Sequence, residues 1–90
     1  MSEFKAILDP IADLLNRKNS DYGDSYAETR DEFGPTAFII RLMDKYNRLK
    51  KLTNEETALV NEESIEDTLQ DIIGYCTLEL RYLRQNRTCG

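Results

Sequence analysis

Between Ser64 and Leu83 apolar residues recur three and four positions apart for twenty residues with no proline, and only an α-helix gathers that spacing onto one side. At about 100° per residue, Ile65, Leu69, Ile72, Ile73, Cys76, Leu80 and Leu83 share an arc of about 100°, wide enough to face a core. Asp67, Asp71, Gly74, Tyr75, Leu78 and Tyr82 fall together on another flank, where two carboxylates one turn apart sit beside two phenols and the gap left by a glycine. The apolar arc is expected to be structural, and the mixed flank is where function is expected.

Two further stretches carry the same period. From Ser2 to about Lys18, Phe4, Ile7, Leu8, Ile11, Leu14 and Leu15 form an amphipathic pattern interrupted by Pro10. Proline inside a helix removes a hydrogen bond and crowds the preceding turn, so the segment is either one kinked helix, the favoured reading, or a fresh start capped by Asp9. Thr36 to about Leu52 places Phe38, Ile39, Leu42, Met43, Tyr46, Leu49 and Leu52 on its buried side, with Gly34-Pro35 as punctuation in front. Arg17 to Asp24 is rich in Asn, Ser, Asp and Gly and reads as a loop, followed by a short helix from Ser25 to Arg30. Thr53 to Glu63 reads as an acidic connector, a loop or short helical turn around Ala58, Leu59 and Val60. Residues 84–90 are expected to fray. The expectation is a single all-α domain over residues 1–90, a small bundle of about three long helices plus short helical segments.

Ninety residues hold one modest core, so a generous site is expected to need a second copy, and a homo-oligomer is the expected state. A net charge of −5 without histidine argues against a nucleic acid polymer as partner. It also removes histidine catalysis and histidine metal sites, leaving carboxylates as the hard ligands, for which Mg2+ is the natural ion. Cys76 and Cys89 lack zinc spacing and are too few for a disulfide framework, which fits a reducing cytoplasm. Glu3, Lys5 and Asp9 interrupt the N-terminal apolar residues, so neither a leader nor a membrane span is expected.

Several groups invite a functional reading, each beside a plainer one. Asp67 and Asp71 repel one another on a helix unless a cation lies between them. They are either a metal or arginine site, or, for Asp67, part of a capping box begun by Ser64 and, for Asp71, half of a salt bridge. Arg41, Asp44, Lys45 and Arg48 form one polar stripe, a solvated ion-pair ladder or a phosphate site of planar guanidiniums. Antiparallel packing of the two later helices would bring Asp44 to Asp67 and Asp71 around one ion. Lys18, Asp21 and Tyr22 offer a cation, a carboxylate and a stacking ring for a nucleotide, or are an ordinary helix-ending loop. Tyr75 is a candidate base platform and Tyr82 a candidate interface residue.

Four separated runs carry a family resemblance. They are Lys18-Asn19-Ser20-Asp21-Tyr22-Gly23, Phe33-Gly34-Pro35-Thr36-Ala37-Phe38, Arg41-Leu42-Met43-Asp44-Lys45-Tyr46-Asn47-Arg48-Leu49, and Glu63 to Tyr75 with its Ser64-Ile65-Glu66-Asp67-Thr68 and Asp71-Ile72-Ile73-Gly74. In this order they resemble the nucleotide-modification-associated domain of phages and prophages, a helical family similar in outline to MazG-type all-α nucleoside triphosphate pyrophosphohydrolases. The resemblance implies a small-molecule nucleotide as partner and the cytoplasm of an infected or lysogenic bacterial host. MazG-type enzymes hold magnesium with a Glu-x-x-Glu pair on one helix and Glu-x-x-Asp on a later one. Here the later helix offers Asp67 and Asp71 with Thr68 where the glutamate falls, and the earlier one offers Asp44 with Asn47 three residues on. The leading expectation is an oligomer that binds or sequesters a nucleotide, phosphates meeting Arg41, Arg48 and Lys18 and the base meeting Tyr22 or Tyr75. Asp44, Asp67 and Asp71 would then hold Mg2+ or orient the cations. The alternatives are a magnesium-dependent nucleotide pyrophosphohydrolase and a structural helical interaction protein.

Overall fold

The computed structural model describes residues 2–22, 24–54 and 58–87, with side chains described for all of these except 20–22 and 58–61. It contains α1 (Ser2–Tyr22), α2 (Ser25–Phe33), α3 (Thr36–Thr53) and α4 (Ala58–Gln85), with no strand among the described residues. The all-α expectation holds.

Helix α1 runs through Pro10 as one element, with no fresh start at Asp9. It also continues past Lys18 to Tyr22, where a loop was expected from Arg17. Arg and Lys are good helix formers, and Asn, Ser and Asp each cost less than about 0.7 kcal/mol in a helix. A helix already nucleated absorbs such residues one by one.

Asp24 caps α2 by accepting a hydrogen bond from the Ala27 N–H at 3.3 Å. The same helix ends at Gly34, whose φ of 72° lies in the left-handed region that a side chain disfavours. Its N–H donates to the Arg30 carbonyl at 2.8 Å, and its own carbonyl accepts from Ala37 at 3.0 Å, so one glycine closes α2 and opens α3.

Helix α4 begins at Ala58, so Ser64 and Asp67 are not a capping box. Ser64 lies within the helix, and its carbonyl accepts a hydrogen bond from Thr68 Oγ1 at 2.7 Å. Of the expected acidic connector, Thr53 belongs to α3, Asn54 is its C-cap and the stretch from Ala58 belongs to α4, while residues 55–57, like Cys89, lie outside the described residues. Within the tail expected to fray, residues 84 and 85 are helical, and residues 88–90 lie outside the described residues.

The α3 and α4 helices pack antiparallel, since Arg41 meets Tyr75 and Lys45 meets Asp71, the one number rising as the other falls. Helix α1 packs on α4, and α2 on α3. The orientation of α4 differs from expectation. Its apolar arc does not face the interior: Leu69, Leu80 and Leu83 keep 46%, 51% and 45% of their surface exposed, and Ile65, Ile72, Ile73 and Cys76 are half-buried. Among the described residues of α4, Thr68 and Gly74 are the buried positions. Gly74 lets α1 approach, because a Cβ there would lie 3.5 Å from Leu15 Cδ2. A close approach over the mixed flank thus turns the apolar arc outward. Among the described residues, only Ile11 and Ala37 are fully buried apolar side chains. No described helix is long and apolar enough to cross a membrane.

Candidate functional site

All four helices contribute to one cleft of about 530 Å³. Helix α1 supplies Ile11, Leu14 and Leu15 as an apolar wall, with Lys18 and Asn19 beyond them. Helix α2 adds Ser25, Tyr26 and Thr29; α3 adds Ala37, Arg41 and Lys45. Helix α4 supplies Asp71, Gly74, Tyr75 and Leu78 from the mixed flank singled out by its spacing, together with Gln70. The lining therefore has an apolar end, neutral hydrogen-bonding groups, two phenols, three cations and one carboxylate.

These groups are ordered by one another. The Arg41 guanidinium carbon lies 5.8 Å from the centre of the Tyr75 ring, within cation–π range. Tyr26 and Tyr75 are 6.5 Å apart between ring centres and inclined at 36°, a tilted pairing favoured by aromatic quadrupoles. Lys45 Nζ lies 3.0 Å from Asp71 Oδ2. Neither Lys18 nor Arg41 is within ion-pair distance of a carboxylate among the described residues.

Behind Tyr26, a polar clamp ties α2 to α4. Arg30 donates from Nε to Glu79 Oε1 and from Nη2 to Glu79 Oε2, both at 3.0 Å, while Tyr26 Oη donates to Oε1 at 2.7 Å. The Arg30 and Glu79 side chains keep only 11% and 12% of their surface exposed, so the charges are largely removed from water and must satisfy one another. The hydrogen bond from Arg30 holds the Glu79 carboxyl below its usual range. Burial, reinforced by the Glu79 hydrogen bond, pushes the Tyr26 phenol up. Tyr82 donates to Asp31 Oδ1, which raises its phenol as well, and its ring lies 4.6 Å beneath the Arg30 guanidinium carbon. Arg81 Nη2 donates to Asp24 Oδ1 at 2.7 Å, joining the α2 cap to α4.

Of the residues expected to contact a nucleotide, Lys18, Arg41 and Tyr75 come together on the cleft, with Asp71 from the expected metal set. Arg48, Asp44 and Asp67 are exposed and do not line it. The side chains of Asp21 and Tyr22 lie outside the described residues. Among the described residues, no three His, Cys, Asp or Glu side chains are grouped to hold a metal, so Asp44, Asp67 and Asp71 do not converge as antiparallel packing was expected to make them. Tyr82, expected at an interface, is engaged within its own chain. The spacing reading missed Tyr26, Arg30 and Glu79. The available signal was the four-residue interval shared by Tyr26 and Arg30 on α2 and by Tyr75 and Glu79 on α4, which puts each pair on one helix face.

Fold and site together define an all-α protein with a cationic, tyrosine-lined cleft between its helices. The chain belongs to the family described as Nucleotide modification associated domain 1, whose sequence profile matches residues 18–83. That span runs from Lys18 at the cleft to Leu83 near the end of α4, and includes every α2, α3 and α4 residue of the lining. No curated protein and no solved structure matches the chain.

Proposed function

We propose that the cleft binds a nucleotide, or a signal built from one, as a small molecule and retains it intact. The observation that carries this reading is the convergence of Lys18, Arg41 and Lys45 with the rings of Tyr26 and Tyr75 in a chain whose net charge is −5. Phosphate oxygens match the Arg41 fork and the two ammonium groups, and a base has the tilted tyrosines on which to lie. Asn19, Ser25, Thr29 and Gln70 offer donors and acceptors for the sugar and the base edge. A volume of about 530 Å³ falls within the usual range for small-molecule sites. The family description, with its reference to nucleotide modification, is compatible with a nucleotide-related role.

The residues present favour retention over hydrolysis. Asp71 is the only carboxylate in the described lining, and it is paired with Lys45. The position where a MazG-type enzyme carries a glutamate ligand is Thr68, which is 1% exposed and turns its hydroxyl back to Ser64. These side chains do not make a protein-built magnesium centre. A magnesium ion arriving with the phosphates of a nucleotide has one carboxylate to meet here, Asp71. In an infected or lysogenic bacterial cytoplasm, a protein of this kind lowers the free concentration of a nucleotide signal and so blunts a defence that depends on it.

The test is a panel of linear and cyclic nucleotides, titrated calorimetrically with and without magnesium and followed for pyrophosphate release. Saturable binding with the nucleotide recovered unchanged is the expected result. Release of pyrophosphate replaces retention by the pyrophosphohydrolase alternative. Absence of binding across the panel, together with no small molecule released on denaturing protein purified from its host, leaves the structural helical protein.

A further inference from the structure

The accessible surface exceeds that of a compact monomer of this mass. It measures 7220 Å², whereas the scaling for compact monomers gives about 5,400 Å² at this mass. The excess of about 1,800 Å² is more than the roughly 800 Å² that each partner contributes to a standard interface.

Much of the apolar part of that surface lies on one side of the α3–α4 hairpin. On α3, Ile39, Met43 and Tyr46 are each more than half exposed and lie within about 60° of one another. On α4, Leu69, Ile73, Cys76, Leu80 and Leu83 lie within about 80°. In each helix this stripe is about a quarter turn from the side that meets the other helix, marked by Phe38, Leu42 and Leu49 on α3 and by Thr68 on α4. Because the helices are antiparallel, an equal turn in each brings both stripes to the same side. The cleft residues Arg41, Lys45, Asp71 and Tyr75 turn the opposite way. The hairpin therefore has a cleft on its front and a back whose apolar side chains are exposed or half-buried.

The α4 stripe also has features of a seam. Ile65, Leu69, Ile72, Cys76, Leu80 and Leu83 keep the three-and-four spacing that lets one helix interlock with another. Its ends carry opposite charge: Glu62, Glu63 and Glu66 are exposed at the start and Arg84 and Arg87 at the finish. A two-fold axis through the middle of the seam, beside Ile73 and Cys76, sets the acidic end of one copy level with the basic end of the other. A parallel arrangement would oppose like charges.

We infer that a second copy of this chain covers the back of the α3–α4 hairpin, the two α4 helices antiparallel, giving a four-helix layer with one cleft on each outer side. The pairing is independent of what the clefts hold. Sedimentation equilibrium is expected to return twice the 10.5 kDa chain mass. Leu69→Glu with Leu80→Glu sets charge into the seam and is expected to weaken the dimer by a factor on the order of 100. Phe4→Glu with Ile7→Glu, on the exposed stripe of α1, is expected to leave it intact. Because a chain that needs its partner to fold loses structure in the seam variant, the unaltered seam is tested as well. In a Cys89→Ser background, a short bis-maleimide is expected to join two copies through Cys76. A single-chain mass for the unaltered protein overturns the inference and assigns the face to a different partner. It is equally overturned by a dimer that yields no Cys76 cross-link, or by one that the α1 variant dissociates and the seam variant does not.

Discussion

Across the α3–α4 pair, Lys45 and Asp71 close to 3.0 Å on the wall of the cleft. The lysine side chain is about three-quarters covered, while the carboxylate is nearly half exposed. The pair therefore contributes little to stability but sets the charge seen by a ligand. If phosphate is the ligand, the carboxylate opposes it and holds one of its cations. Asp71→Asn is then expected to tighten binding of an anionic nucleotide by about three- to tenfold, as one repulsive charge at close range is removed. Calorimetric titration without magnesium is the measurement. Weaker binding in that variant would make Asp71 a group that holds the ligand directly rather than a charge that opposes it.

Arg41 and Arg48 lie seven residues apart on one stripe of α3, yet only Arg41 reaches the cleft. Arg41→Ala is expected to weaken nucleotide binding by about 10- to 100-fold, the loss of a charge-assisted hydrogen bond of about 1.5–3 kcal/mol. Arg41→Lys recovers part of it, since an ammonium keeps the charge but not the fork or the stacking on Tyr75. Arg48→Ala is expected to leave affinity within twofold of the parent. Equal losses in the two alanine variants would place the phosphates outside the cleft, along the exposed stripe.

Glu79 sets the acid limb of stability. Its carboxyl is held below the usual value of 4.5, chiefly by the Arg30 hydrogen bond, so the charged form is favoured in the folded chain. The stabilisation is present above about pH 4.5 and is lost as pH falls through the lowered folded value. Tyr26 and Tyr82 are shifted upward from an ordinary value of 10.0. The neutral phenols are favoured by folding, so their contribution is complete below about pH 10 and is lost as pH rises further. Thermal unfolding across pH should show both limbs. Glu79→Gln is expected to lower the midpoint at neutral pH and to flatten the acid limb, and Tyr26→Phe to soften the alkaline limb. An acid limb unchanged in Glu79→Gln would move that dependence to other carboxylates.

How much of this could be read in advance varies by element. The start of α3 was legible because Gly34-Pro35 is a strong local signal, and the structure begins that helix at Thr36 as expected. The fold class was legible because three-and-four spacing has one regular solution. The orientation of α4 was not. Amphipathicity says that Leu69, Leu80 and Leu83 want cover, but not whether their own chain supplies it, and the approach of Leu15 over Gly74 is a tertiary fact. Ser64 was misread because Ser-x-x-Asp looks the same at a helix start and inside a helix. Within the site, Arg41, Asp71 and Tyr75 were found because each sits on a patterned stripe, and Lys18 because it opens a short polar segment that also offers a carboxylate and a ring. Lys45 shares that stripe with Arg48, and only the antiparallel register of α3 and α4 separates the one in the cleft from the one outside it. Tyr26 and Glu79 take their roles from contacts spanning about half the chain, which local periodicity does not record.

Gly74 tests whether the cleft is defined by close packing of α1 on α4. A glycine inside a helix costs roughly 0.5–1 kcal/mol relative to alanine. The Cβ of an alanine at this position would meet Leu15 Cδ2 at 3.5 Å, an ordinary van der Waals contact. Gly74→Ala is therefore expected to raise the midpoint of thermal unfolding by a few degrees and to leave nucleotide affinity nearly unchanged. Gly74→Leu has no such room, since its branches start from that contact and extend either into Leu15 or into the cleft. Overpacking of this kind costs about 1–3 kcal/mol, so the midpoint should fall and nucleotide binding should be lost. A Gly74→Leu variant that kept the parent affinity would place the ligand elsewhere on the chain, because the side chain could not share the cleft with it.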